Sequence, residues 1–158
     1  MDYTATIFDL VKYETWCNLK VADFMSKLPE EQCHRDFGFG LRTPHHTLFH
    51  IADVMQGWGG CVGPVVKPPV WLTYNKQMPI SEIRARLLQY GTAFEAAAAQ
   101  AHEQELLTED GRLKQLLHLV THGTHHRGQL LSMFTLLGYS QPIEGGDFGG
   151  WFSKSASG

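Results

Sequence analysis

Four of the nine histidines fall within nine residues, in the stretch His118-Leu119-Val120-Thr121-His122-Gly123-Thr124-His125-His126. The flanking sequence repeats leucine, methionine and phenylalanine at helical spacing. A helix keeps residues four apart on one side, so His118, His122 and His126 climb a single stripe with His125 beside it. Neutral imidazole is a favoured ligand for zinc, copper, iron and nickel. The stretch therefore asks for two things from the rest of the chain: helices that cover its apolar side, and a further ligand from another segment.

Three more segments have the required periodicity. Residues 4–28 read as a helix with Ile7, Leu10, Val11, Cys17, Val21, Met25 and Leu28 on one side, ended by Pro29. Residues 30–43 read as a connection. Thr43 and Pro44 then form an N-cap and first turn for a helix over 44–60, with Leu48, Ile51, Val54, Met55 and Trp58 inward. The proline-punctuated stretch 61–79 reads as a long irregular connection anchored by Trp71 and Tyr74, which either lids a pocket or spans the bundle. Ser81 is the expected cap of a helix over 82–104. Its buried stripe is Ile83, Leu87, Tyr90, Phe94, Ala97, Ala98 and Ala101. Asp110 is the expected cap of the last helix, 112–137, with Gly138 ending it. With no strand pattern, the chain reads as all-α: a single four-helix bundle over 1–158, with a glycine-rich tail from about 139.

Composition narrows the function classes. The net charge is −3 with no long basic run, so a nucleic-acid partner is disfavoured. The three cysteines, Cys17, Cys33 and Cys61, form no CxxC, and the set fits a reducing cytoplasm. No apolar run reaches the roughly 18 residues of a membrane span. Asp2, Asp9, Lys12 and Glu14 are incompatible with a signal-peptide core.

Helical phase ranks the histidines. Taking Leu116, Leu119, Leu130, Met133, Phe134 and Leu137 as the inward direction, His126 lies about 40° from its centre and His122 about 80°. His118 and His125 lie roughly 120° and 140° away and lean toward solvent or a neighbouring subunit. In the second long helix the same measure favours His50 over His45 and His46. The expected metal ligands are His50, His122 and His126; the competing reading is ordinary hydrogen-bonded helix histidines. Gly123, inward between the fourth-helix pair, would let another helix approach. Three nitrogens leave coordination positions open, as in catalytic rather than structural metal sites. A bound water could then serve as nucleophile, or a substrate thiolate could be held and activated. Each ligand imidazole needs an acceptor for its other N–H, for which Glu14, Asp53, Gln129 and Asp147 are the candidates.

Glu14 and Asn18 fall on the apolar side of the first helix. A carboxylate there sits in a salt bridge or a partly wet position, or it belongs to the metal pocket, where it is the one candidate catalytic residue. Arg127 reads as a structural salt-bridge or helix-end partner, with a substrate clamp as the competing role, and Trp58 as core, with a pocket wall as its second role. A di-iron carboxylate site would need Glu-x-x-His pairs, which the sequence lacks.

The run from His118 to Gln129 resembles the signature of the DinB/YfiT-like superfamily. Two further stretches agree: Tyr13-Glu14-Thr15-Trp16-Cys17-Asn18, and Thr47-Leu48-Phe49-His50-Ile51-Ala52-Asp53 with Trp58 after it. The resemblance implies an up-up-down-down four-helix bundle, often a homodimer. It also implies a divalent metal (nickel, zinc or iron) on one histidine of the second helix and two of the fourth, which map here to His50, His122 and His126. Some relatives are transferases or isomerases using a low-molecular-weight thiol: bacillithiol, mycothiol or glutathione. The expected function is thus a metal-dependent thiol S-transferase or hydrolase. The alternative is a non-catalytic, stress-associated binding or scaffold protein with a structural metal.

Overall fold

The computed structural model describes residues 4–65, 68–108, 111–140 and 151. These form α1 (Thr4–Met25), a short α2 (Glu30–Cys33), α3 (Pro44–Gly59), α4 (Ile80–Glu103), a 3₁₀ turn (Leu106–Thr108) and α5 (Arg112–Leu136). No strand occurs among the described residues. Thr43 caps α3 by accepting the His46 N–H on its hydroxyl, and Pro44 occupies the first turn as expected. Gly138, at φ 90°, closes α5.

Several boundaries differ from the sequence reading. Pro79, not Ser81, precedes the first turn of α4. Its fixed φ pre-sets the chain direction into the helix, and no side chain caps this end by a hydrogen bond. Gly111, at φ 75°, stands at the N-cap of α5, and the expected cap Asp110 lies outside the described residues. α1 ends at Met25, short of residue 28, and the connection after it contains α2.

The four long helices enclose two apolar clusters. At one end Val21, Ala22 and Met25 of α1 meet Leu48, Ile51 and Ala52 of α3, Ile83 and Leu87 of α4, and Leu130 and Phe134 of α5. At the other end Val11 of α1 meets Val54 of α3, Phe94, Ala98 and Ala101 of α4, and Leu116, Leu119 and Val120 of α5. The first cluster thus takes the C-terminal halves of α1 and α5 and the N-terminal halves of α3 and α4, and the second takes the converse. So α1 and α5 run one way, and α3 and α4 the other. The order is up-down-down-up, which corrects the up-up-down-down expectation.

The long connection follows from this order. α3 and α4 are parallel neighbours, so the chain must travel back along the bundle between them. It does so against α3. Trp71 packs edge-on against Trp58 at 5.8 Å and lies over Gly57, where a Cβ would come within 2.5 Å of its ring. The Leu72 N–H donates to Asp53. Tyr74 stacks on His46 at 3.9 Å, and the Met78 carbonyl accepts from His45. His45 is thereby a fully buried core histidine with both ring nitrogens occupied, its Nδ1 facing the Tyr74 hydroxyl at 3.1 Å. No helix among the described residues is long and apolar enough to cross a membrane.

Candidate metal centre

α3 and α5 pack side by side and antiparallel, and His50 faces His122 and His126 across their seam. One ring nitrogen from each of the three lies within 4.8 Å of the other two. The Nε2 atoms of His50 and His122 are 3.1 Å apart. Two nitrogens that share an ion at the ~2.0–2.1 Å typical of zinc–imidazole bonds stand about 2.8–3.4 Å apart, from right-angle to tetrahedral coordination. The observed pair falls in that range. The ring of His126 stands 4.8 Å from that of His50 and 4.4 Å from that of His122.

All three rings are held toward the neutral form that binds metal. Burial pushes the His122 pKa down to about 3, and the neighbouring rings of His126 and His50 push the same way. Burial also lowers His50, opposed by the Asp53 carboxylate, and lowers His126, opposed by its bond to Gln129. The donor set therefore fits a borderline transition metal: three neutral nitrogens, with no thiolate or carboxylate joining them among the described residues.

Gln129 is the candidate acceptor that the structure places at a ligand. Its Oε1 accepts from His126 Nδ1 at 2.9 Å, which leaves His126 Nε2 as the lone-pair nitrogen. Its amide nitrogen donates to His125 Nε2 at 3.0 Å. Gly40, at φ 55°, closes over the same amide: a Cβ there would stand 2.8 Å from Gln129 Oε1. The sequence reading had no signal for that approach, since Gly40 and Gln129 are far apart in the chain. Asp53 is occupied by the Leu72 N–H, and Asp147 lies outside the described residues. His118 and His125 are exposed, outside the triad.

Glu14 is fully buried and bound to Arg127, with Arg127 Nη1 donating to Glu14 Oε2 at 2.7 Å. Asn18 donates to Glu14 Oε1 at 2.9 Å and accepts from Arg127 at 2.7 Å. Arg127 Nη2 adds a bond to Thr124 Oγ1 at 3.0 Å. Burial raises the Glu14 carboxyl above its usual range, and Arg127 and Asn18 pull it back. The two ionisable residues singled out separately in the sequence are thus partners of each other. Gly123 gives this network its room, since a Cβ there would collide with Glu14 Oε1. The close approach that Gly123 permits is to a carboxylate of α1, not to another helix backbone.

The profile of the DinB family matches residues 1–147, nearly the whole chain. The chain belongs to the DinB family. Comparison with curated proteins finds no match. In this DinB protein two histidines of the run that carried the resemblance, His122 and His126, are brought together with the upstream His50 at the seam.

Proposed function

We propose that this DinB protein is a metal-dependent enzyme of the thiol S-transferase or hydrolase type, with one divalent ion held by His50, His122 and His126. The observation that carries this reading is the convergence of three neutral ring nitrogens from two helices, two of them 3.1 Å apart. When bound, a nickel, zinc or iron ion with open positions would lower the pKa of a thiol or water placed on it. The chain's own contribution is orientation and exclusion of protons. Gln129 fixes the His126 ring, and burial keeps His50 and His122 unprotonated near neutral pH.

The placement of Glu14 favours a second reading. It is committed to Arg127 and Asn18, so the carboxylate that sequence offered for proton transfer is occupied. On that reading the ion is structural and the protein binds without turnover. Three buried cysteines, none of them in a disulfide, suit a protein of the reducing cytoplasm; the homodimer rests on the family resemblance alone.

His126→Ala tests the first reading by bound metal and by thiol transfer to a panel of electrophiles. Loss of both together supports it. A metal-free variant with unchanged turnover contradicts it, and metal loss that lowers only the melting temperature supports the structural alternative.

A further inference from the structure

The seam between α3 and α5 continues beyond the triad into a groove of about 290 Å³, lined by Trp58, Lys114, Gln115 and His118. His118 links the two places. Its ring stands 5.6 Å from that of His122 and 6.1 Å from that of Trp58, so the groove begins one helical turn from the candidate ligands.

The lining has the composition of a recognition surface. Trp58 supplies an aromatic wall, held edge-on by Trp71 at an interplanar angle of 75°. Among the described residues, the side chains of Lys114 and His118 have no ion-pair or hydrogen-bond partner and no carboxylate lines the groove. Gln115 Oε1 is buried without a partner. On a chain of net charge −3, an exposed ammonium beside an aromatic wall is a local site for an anion. Lys114 precedes His122 by eight residues on one helix, a separation of about 12 Å along the axis.

We propose that this groove seats the substrate. The class it fits is a small molecule with a metal-ligating head at the triad, an apolar or planar body against Trp58, and an anionic end at Lys114. Head and anion are then roughly 10–12 Å apart. This inference rests on the metal-site reading above.

The test uses the cobalt-loaded full chain, titrated with 8-mercaptooctanoate, its methyl ester and 3-mercaptopropionate while following sulfur-to-cobalt charge transfer. The long acid spans the distance to Lys114, the ester spans it without charge, and the short acid does not reach. For the wild-type chain the long acid is expected to bind about two- to fivefold tighter than its ester. Lys114→Met is expected to erase that preference while leaving the short acid unchanged, and Lys114→Glu to reverse it. Equal affinity of acid and ester in the wild type, or a preference that survives Lys114→Met, overturns the proposal. Cobalt uptake with no thiolate band for any probe overturns it too and leaves the metal centre standing. Failure of the wild type to take up cobalt overturns the metal reading itself.

Discussion

His122 Nε2 faces His50 Nε2 at 3.1 Å across the seam of two antiparallel helices. Without an ion, one of these nitrogens must carry a proton for the other to accept. With an ion, both present lone pairs to it. His50→Ala removes the α3 member of the triad, and the expected loss of metal affinity exceeds the ~10–100-fold that follows from removing a mere supporting partner. Chelator competition measures it, with far-UV circular dichroism expected to show unchanged helix content.

Gln129 is such a supporting partner. Gln129→Leu keeps the side-chain bulk under Gly40 but removes the acceptor for His126 Nδ1. Metal affinity is expected to fall about 10–100-fold. Nitrogen-15 spectra of the imidazoles should show His126 losing its single fixed tautomer.

The Glu14–Arg127 pair predicts a stability effect separable from metal. Glu14→Ala strands a buried guanidinium and is expected to cost about 3–5 kcal/mol. Gly123→Ala drives a methyl group into the same carboxylate and is expected to be comparably damaging. Replacing both charges, as Glu14→Leu with Arg127→Met, should recover much of that loss. Urea unfolding of the metal-free proteins checks all three. Full stability in Glu14→Ala with loss of turnover would instead give Glu14 a chemical role.

Acid should weaken the metal-free protein. Burial lowers the pKa values of His45, His46, His50, His122 and His126, the fourth to about 3. In the unfolded chain they titrate near 6.5. Below about pH 6.5 the unfolded chain therefore binds more protons than the folded one. Stability is complete above that value and declines as pH falls toward the folded-state values, by at most ~1.4 kcal/mol per group per pH unit. The melting temperature of the metal-free chain is expected to drop between about pH 7.5 and about pH 5. A flat profile would contradict the burial assigned to these rings.

Much of the bundle was legible because helical periodicity is local. Leu48, Ile51, Val54 and Met55, read as one side of α3, are all buried, as are Leu116, Leu119, Leu130, Met133 and Phe134 of α5. Phase also separated His122 and His126 from the exposed His118 and His125. Helix direction was not legible, because periodicity has no sign along the chain. The one sequence clue was the length of the 61–79 connection, which two parallel neighbours require. Pairings between distant segments were hidden for a similar reason. Nothing local joins Gly40 to Gln129, Asp53 to Leu72, or Glu14 to Arg127; each contact exists only once the helices are docked.

The metal content of the wild-type chain and of His50→Ala, each purified without chelator or nickel resin, tests the histidine triad most directly. One divalent ion per wild-type chain, located by anomalous scattering between His50, His122 and His126 and lost in the variant, is the predicted result. A wild-type chain that remains metal-free when offered nickel, zinc and iron, or an ion bound elsewhere and retained by His50→Ala, would contradict it.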